Sequence, residues 1–427
     1  MSFQGSAVTQ TDLRELLVRA SLSLAWFMDA RSKVPCTTAF EAQLAHSGSS
    51  PPASPAASPL RVLATAAAAG NLLAAEVASP SAVPALVDAV SNTVLFFSQA
   101  VVMHHDTSRP PWAHLSAAAM KEPRSSVAHS SIFIVALASC QSASAWGHLV
   151  GPLADGIARL QLDDGTFQIY YDDPSSDIGW ELYGTEAALG VALASLFTAT
   201  SDPRAAATLA HVAWRAVQAY KQRFTACGVR PACAVYFLNW LTQAAHATSR
   251  AMATIGDEAT ARAAAEAGCE LADCLASHSG PLHGAIADAA SAATVEVACA
   301  LEGVADALAM ATRQGDAQRV VLFERGVSAG VAHLARVQAA SRECATCGQL
   351  PVGAAYGFGA SLSAPGTQRC DVMAHAITAL VKLLPLVAKH TPASPTVVTP
   401  DAVSPDMLSR AEQREQHETS PTSSAEP

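Results

Sequence analysis

The chain has 427 residues, enough for one large domain, and half of them are hydrophobic while only 15% are charged, which excludes a disordered chain as a whole. A net charge of -10 argues against a nucleic-acid partner, because that affinity comes from neutralising phosphates. Alanine is abundant and aromatics make up 6%, a mix that favours helices over sheets.

Met1–Leu13 has no basic stretch followed by an apolar core, so no secretory leader is expected. Thr11–Arg31 reads as an amphipathic helix, and residues 1–44 as an N-terminal helical segment resting on the main body. Residues 45–57 are Ser/Pro-rich and predict a mobile loop. Leu60–Ala78 and Val83–Val102 are the most apolar stretches, but Asn71, Glu76, Asp88, Ser91 and Asn92 interrupt them. A membrane span needs about 20 mostly apolar residues, so both predict buried helices, and no membrane partner is expected. His104-His105 lacks the His-Glu-x-x-His spacing of a zinc protease; with Asp106 it reads as a metal contact or, in preference, as the exposed end of a helix.

Residues 58–390 predict one continuous helical body with a repeat. Breaks fall at Ser201-Asp202-Pro203, Gly256-Asp257 and Gly315-Asp316, with the Asp residues 55 and then 59 positions apart. Each Asp reads as a helix N-cap, and Pro203 sits where a first helical residue tolerates proline. An apolar helix precedes each break (Glu186–Phe197, Tyr236–Met252, Thr294–Thr312) and a second follows it (Pro203–Tyr220, Glu258–Ala276, Ala317–Val337). Ala158-Arg-Leu-Gln161 recurs as Ala335-Arg-Val-Gln338, each copy reading as a helix end. The unit is a helical hairpin, and about six fit in the body, the number that closes an (α/α)6 toroid rather than an open solenoid. The fold class expected is all-α, an (α/α)6 toroid over 58–390. Residues 391–427 are rich in Pro, Ser, Thr and Glu and predict a disordered tail. This tail, or loop 45–57, is where a protein partner would attach. The ten cysteines are irregularly spaced, and Cys344–Cys347 is the single CxxC, with no second pair at zinc-ligand spacing. They read as buried residues of a reduced, cytoplasmic protein, with no metal or cofactor expected.

The segment Gln161–Glu186 stands apart. It holds seven acids and three of the six tyrosines, and no Lys or Arg lies between Arg159 and Arg204. Acids beside aromatics suit a polyhydroxylated ligand, such as a small molecule or an oligosaccharide. Asp163-Asp164-Gly165 reads either as a turn or as a catalytic acid site. Asp172, Asp173 and Asp177 read as solvated loop charges. Glu186 either complements a helix dipole or opens onto a funnel. Further on, Glu302 and Asp306 are four apart and share a helix face, as a solvent stripe or as a buried pair with raised pKa. Asp371 and His375 are also four apart, so the carboxylate would orient the imidazole unless Arg369 takes it instead. Trp240 and Tyr356 read as stacking or core aromatics.

Gln161-Leu-Asp-Asp-Gly-Thr-Phe167, Tyr183-Gly-Thr-Glu-Ala-Ala-Leu189 and Leu196-Phe-Thr-Ala-Thr-Ser-Asp202 together resemble a motif series of six-hairpin (α/α)6 toroid proteins. Leu301–Ala307 and Arg369–Ala376 look like later parts of it, and Thr185 and Ser201 stand where that pattern has glycine. The superfamily includes glycoside hydrolases, uronic-acid lyases and sugar epimerases. The resemblance implies a carbohydrate-active enzyme with Asp164, Glu186, Glu302, Asp371 and His375 as candidate catalytic groups. Tyr171, Glu181, Tyr183, Trp240 and Tyr356 are then candidate ligand contacts. The alternatives are a noncatalytic helical-repeat scaffold and a prenyltransferase- or terpene-cyclase-like barrel.

Overall fold

The computed structural model describes residues 8–26, 58–106, 109–140, 143–227, 229–277, 280–283, 292–346, 357–359, 361–363 and 370–388. Loop 45–57, Tyr356, Arg369, Cys347 and the tail 391–427 lie outside them. The described chain is mostly helical, with one small hairpin. Its long helices are α1 (Gln10–Trp26), α2 (Pro59–Ala74), α3 (Val83–Gln99), α4 (Val127–Ser139), α5 (Val150–Ala158), α6 (Trp180–Thr198) and α7 (Pro203–Cys227). They continue as α8 (Pro231–Thr254), α9 (Glu258–Ala276), α10 (Thr294–Gln314), α11 (Ala317–Thr346) and α12 (Cys370–Ala388).

The three breaks lie where the spacing places them. Asp202, Asp257 and Asp316 each accept a backbone N–H through Oδ1, from Ala205 (2.9 Å), Thr260 (3.0 Å) and Arg319 (3.1 Å). These caps satisfy donors that a helix start leaves free. Gly315, at φ 73°, ends α10 in the left-handed region where a Cβ would be strained. The Ala335–Gln338 echo, by contrast, lies inside α11 and ends no helix.

The even-numbered helices pack in series, α2 on α4, α4 on α6, α6 on α8, α8 on α10 and α10 on α12, and α12 returns to α2. Each odd-numbered helix lies against one of them: α3 on α2, α5 on α4, α7 on α6, α9 on α8, α11 on α10, and α1 on α12. The even helices are therefore covered on most sides. In α4, α6 and α10 the buried residues run around the helix rather than along one stripe. Helix α12 is also the one described helix long and apolar enough to cross a membrane, over Cys370–Val387. Its apolar character follows from packing against α10, α2 and α1.

Small residues let these helices approach closely. Gly184 of α6 faces the Tyr220 hydroxyl of α7, which accepts the Phe167 backbone N–H at 3.0 Å. A Cβ at Gly184 would collide with that hydroxyl, which is fully buried. Gly184→Ala is expected to lower stability by about 2 kcal/mol through overpacking, read as a drop in the urea midpoint. An unchanged midpoint would show that α6 and α7 part without strain.

One expectation is corrected at the end of the second apolar stretch. Helix α3 stops at Gln99, and the chain turns into an antiparallel hairpin of β1 (Val101–Asp106) and β2 (Arg109–Leu115). Pro110 and Pro111 prevent a helix from continuing there. His104 is thus a strand residue, not a helix end, and stacks on Trp112 with ring centres 3.9 Å apart.

Candidate active site

A cavity of about 430 Å³ lies where the even helices meet, and among the described residues its lining comes from α2, α4, α6, α8, α10 and α12. One polar network runs along it. Glu302 Oε2 lies 2.8 Å from His375 Nδ1 and accepts from Asn239 Nδ2 at 3.3 Å. Asn239 Oδ1 accepts from Gln243 Nε2 at 3.0 Å. Lys382 Nζ donates to Gln243 Oε1 (2.6 Å) and to Asp306 Oδ2 (2.8 Å), and lies 3.8 Å from Glu302 Oε1. His246 Nδ1 closes the series 2.9 Å from Asp306 Oδ1. Trp240 meets His375 edge to face, ring centres 5.7 Å apart.

The acidic pair of α10 is therefore not a solvent stripe: Glu302 and Asp306 are 3% and 7% exposed. Nor is the Asp306 pKa raised. Burial opposes its charge, but Lys382 and His246 more than offset that and hold the carboxyl at about 2. Burial likewise disfavours a charged His375, yet the Cys299 sulfur and the Glu302 carboxylate keep the imidazole protonated well above its ordinary range.

The Asp371–His375 pairing is corrected too. Asp371 turns to Arg61 of α2 at 3.6 Å, and His375 takes its carboxylate from a different helix, α10. An i,i+4 spacing allows a contact within one helix, but here the neighbouring helices offer better-placed partners.

Of the candidate catalytic groups, Glu302 and His375 line the cavity. Asp164 does not; it is exposed, and its Oδ1 accepts from Thr166 N (2.9 Å) and Thr166 Oγ1 (2.6 Å) in a tight turn. The Thr166 hydroxyl bond lowers its pKa. Glu186 is buried on α6, at helical spacing from the cavity residues Leu189 and Leu193. Among the described residues its Oε2 finds no hydrogen-bond partner, and burial pushes its pKa up to about 8 against a lowering pull from His375. Of the ligand contacts among the described residues, only Trp240 lines the cavity, and Tyr356 lies outside those residues. Tyr171 stacks on His114 at 4.8 Å, Glu181 pairs with Arg230 at 2.7 Å, and Tyr183 meets Tyr170 edge to face.

The network also contains residues that the sequence reading passed over: Asn239, Gln243, His246 and Lys382. Their signal was present. Asn239, Gln243 and His246 follow i, i+4, i+7 along one face of α8, and Lys382 is seven residues from His375 in an otherwise apolar helix. Polar groups on the buried stripe of such helices mark a shared interior site. Among the described residues, no three His, Cys, Asp or Glu side chains gather where they would hold a metal ion. No family model matches the chain, and no curated protein matches it in sequence.

Proposed function

We propose that the ring is an (α/α)6 toroid and that its cavity is the active site of an enzyme moving protons on a small hydroxyl- or carbonyl-bearing molecule, a sugar derivative. The observation that carries this reading is a pair of imidazoles in one cavity, each aligned by its own carboxylate: His375 by Glu302, and His246 by Asp306. A carboxylate on Nδ1 fixes the ring and its tautomer and makes Nε2 the nitrogen for proton transfer; the His375 ring also hydrogen-bonds the Cys299 sulfur, a contact that a substrate would have to displace. One imidazole would remove a proton from carbon and the other return one. Lys382 would stabilise the negative charge that develops between the two steps. Both carboxylates are already engaged by cations, which favours epimerase or lyase chemistry over hydrolysis by free carboxyls. The motif resemblance over Gln161–Asp202 supports the same class. Six cysteines, Cys140, Cys233, Cys269, Cys274, Cys299 and Cys370, are free thiols, which fits the reducing, cytoplasmic location we propose.

The test is deuterium exchange. The protein is incubated in heavy water with a panel of aldoses, ketoses, uronates and amino sugars, and carbon-bound deuterium is followed by NMR. At least one compound is expected to exchange, and His375→Asn and His246→Asn should each slow that exchange about 100-fold or more. Compounds that stabilise the protein without exchange would favour a binding protein instead, a reading that the mutual neutralisation of the cavity charges also fits.

A further inference from the structure

The cavity has two unlike halves. Among the described residues every charged one in the lining comes from α8, α10 or α12, which follow one another in the packing series. The opposite half, from α2, α4 and α6, presents Ala64, Ala67, Ile132, Val135, Leu189 and Leu193. Among the described residues its two polar side chains are Asn71 in the last turn of α2 and Ser139, whose hydroxyl proton goes to the Val135 carbonyl at 2.9 Å and leaves it only as an acceptor. A free sugar carries hydroxyls around its whole ring. Those turned towards Ile132, Val135, Leu189 and Leu193 would lose water and find no side-chain partner, a penalty of about 1–3 kcal/mol each.

We infer that the substrate is amphiphilic: a hydroxyl- or carbonyl-bearing head held by the Glu302–His375–Lys382 network, joined to an apolar body lying against α2, α4 and α6. This rests on the proposed acid–base reading for the head and goes beyond it for the body. About 430 Å³ holds a six-membered ring together with a short alkyl or aryl group. Trp240, beside His375, reports occupancy by its fluorescence.

The experiment uses the full chain and a graded set of probes: glucose, methyl, butyl and hexyl β-D-glucoside, and 1-hexanol. Binding is read by thermal shift and Trp fluorescence, with Trp240→Phe identifying the cavity signal. The expected result is tighter binding along the glucoside series, about fourfold for each methylene that enters the apolar half. Val135→Thr, nearly isosteric, should reduce the hexyl gain severalfold and leave methyl glucoside unchanged. If this variant fails to fold, the wild-type series alone decides. Equal affinity across the glucosides overturns the inference, and so does a complete lack of binding by the series. The two proposals fail separately. Alkyl-dependent binding in this series, together with no deuterium exchange on any aldose, ketose, uronate or amino sugar of the earlier panel, would remove the catalytic reading and keep the amphiphilic ligand; the glucosides themselves have no carbonyl to activate a C–H bond and report binding alone. Exchange on free sugars with no gain from the alkyl chain would do the reverse.

Discussion

Replacing Lys382 with methionine is expected to lower folding stability by about 3 kcal/mol at pH 8, measured by urea unfolding. The side chain is three-quarters buried and its ammonium bonds to Asp306 at 2.8 Å with Glu302 at 3.8 Å. Methionine keeps the volume and removes the charge. Two buried carboxylates, one turn apart on α10, then repel each other with one less cation between them. The sign with pH follows from Asp306. In the wild type its folded pKa, about 2, lies below the ordinary 3.8, so its contribution is present above about pH 4 and fades as pH falls towards 2. Without Lys382 the carboxyl binds its proton at higher pH. The gap between variant and wild type should therefore narrow as the solution is acidified. Adding Asp306→Asn to Lys382→Met should recover part of the loss. A gap that stays constant with pH would mean that the loss comes from packing and not from charge.

Glu186→Gln is expected to act in the opposite direction. The wild-type carboxyl keeps its proton in the folded state up to about pH 8, whereas an ordinary glutamate gives it up near 4.5. The folded state thus binds a proton that the unfolded chain has released, and stability falls as pH rises through that window. A shift of this size corresponds to roughly 5 kcal/mol when both states are compared above pH 8. Glutamine has no proton to give up. The variant should match the wild type, or fall slightly below it, at pH 5, and exceed it by several kcal/mol at pH 9. A stability difference independent of pH would show that Glu186 ionises normally.

The helix starts after the three breaks were legible because local chemistry sets them, whereas the far ends of several helices were not: α6 begins at Trp180 rather than Glu186, and α11 runs on to Thr346. The Asp caps at 202, 257 and 316 need only their own next turn, and the order of hairpins follows from that alone. The site was half legible for the converse reason. Glu302, His375 and Trp240 stand out as polar or aromatic side chains in apolar helices. Which carboxylate serves which imidazole depends on distant segments brought together: Glu302 meets His375 across 73 positions, and Lys382 meets Gln243 across 139. No local spacing encodes those pairs. The acid-rich segment 161–186 misled for a related reason. It is dense in reactive residue types, yet Asp164 shapes a turn and Glu181 pairs with Arg230, so density did not mark the cavity. The hairpin at 101–115 was missed because an apolar run looks alike at the end of a helix and at the start of a strand until Pro110 and Pro111 are weighed.

The partner of α12 is α1, from the other end of the described chain. Leu13, Leu16, Leu17 and Leu24 are at most 1% exposed, and the Leu16 carbonyl accepts from Gln338 Nε2 across 322 positions. During synthesis at about 5–20 residues per second, that leucine face leaves the ribosome first and waits tens of seconds for its cover. A chain stopped before Cys370 would present it permanently, as a sticky surface for chaperones or for other nascent chains. Because both strands of this seam are helices joined to the rest by a single connection each, cutting the chain between α1 and α2 and linking α12 to α1 would turn the slowest contact into a local one. Such a rearranged chain should refold faster than the natural order, with the ring itself unchanged.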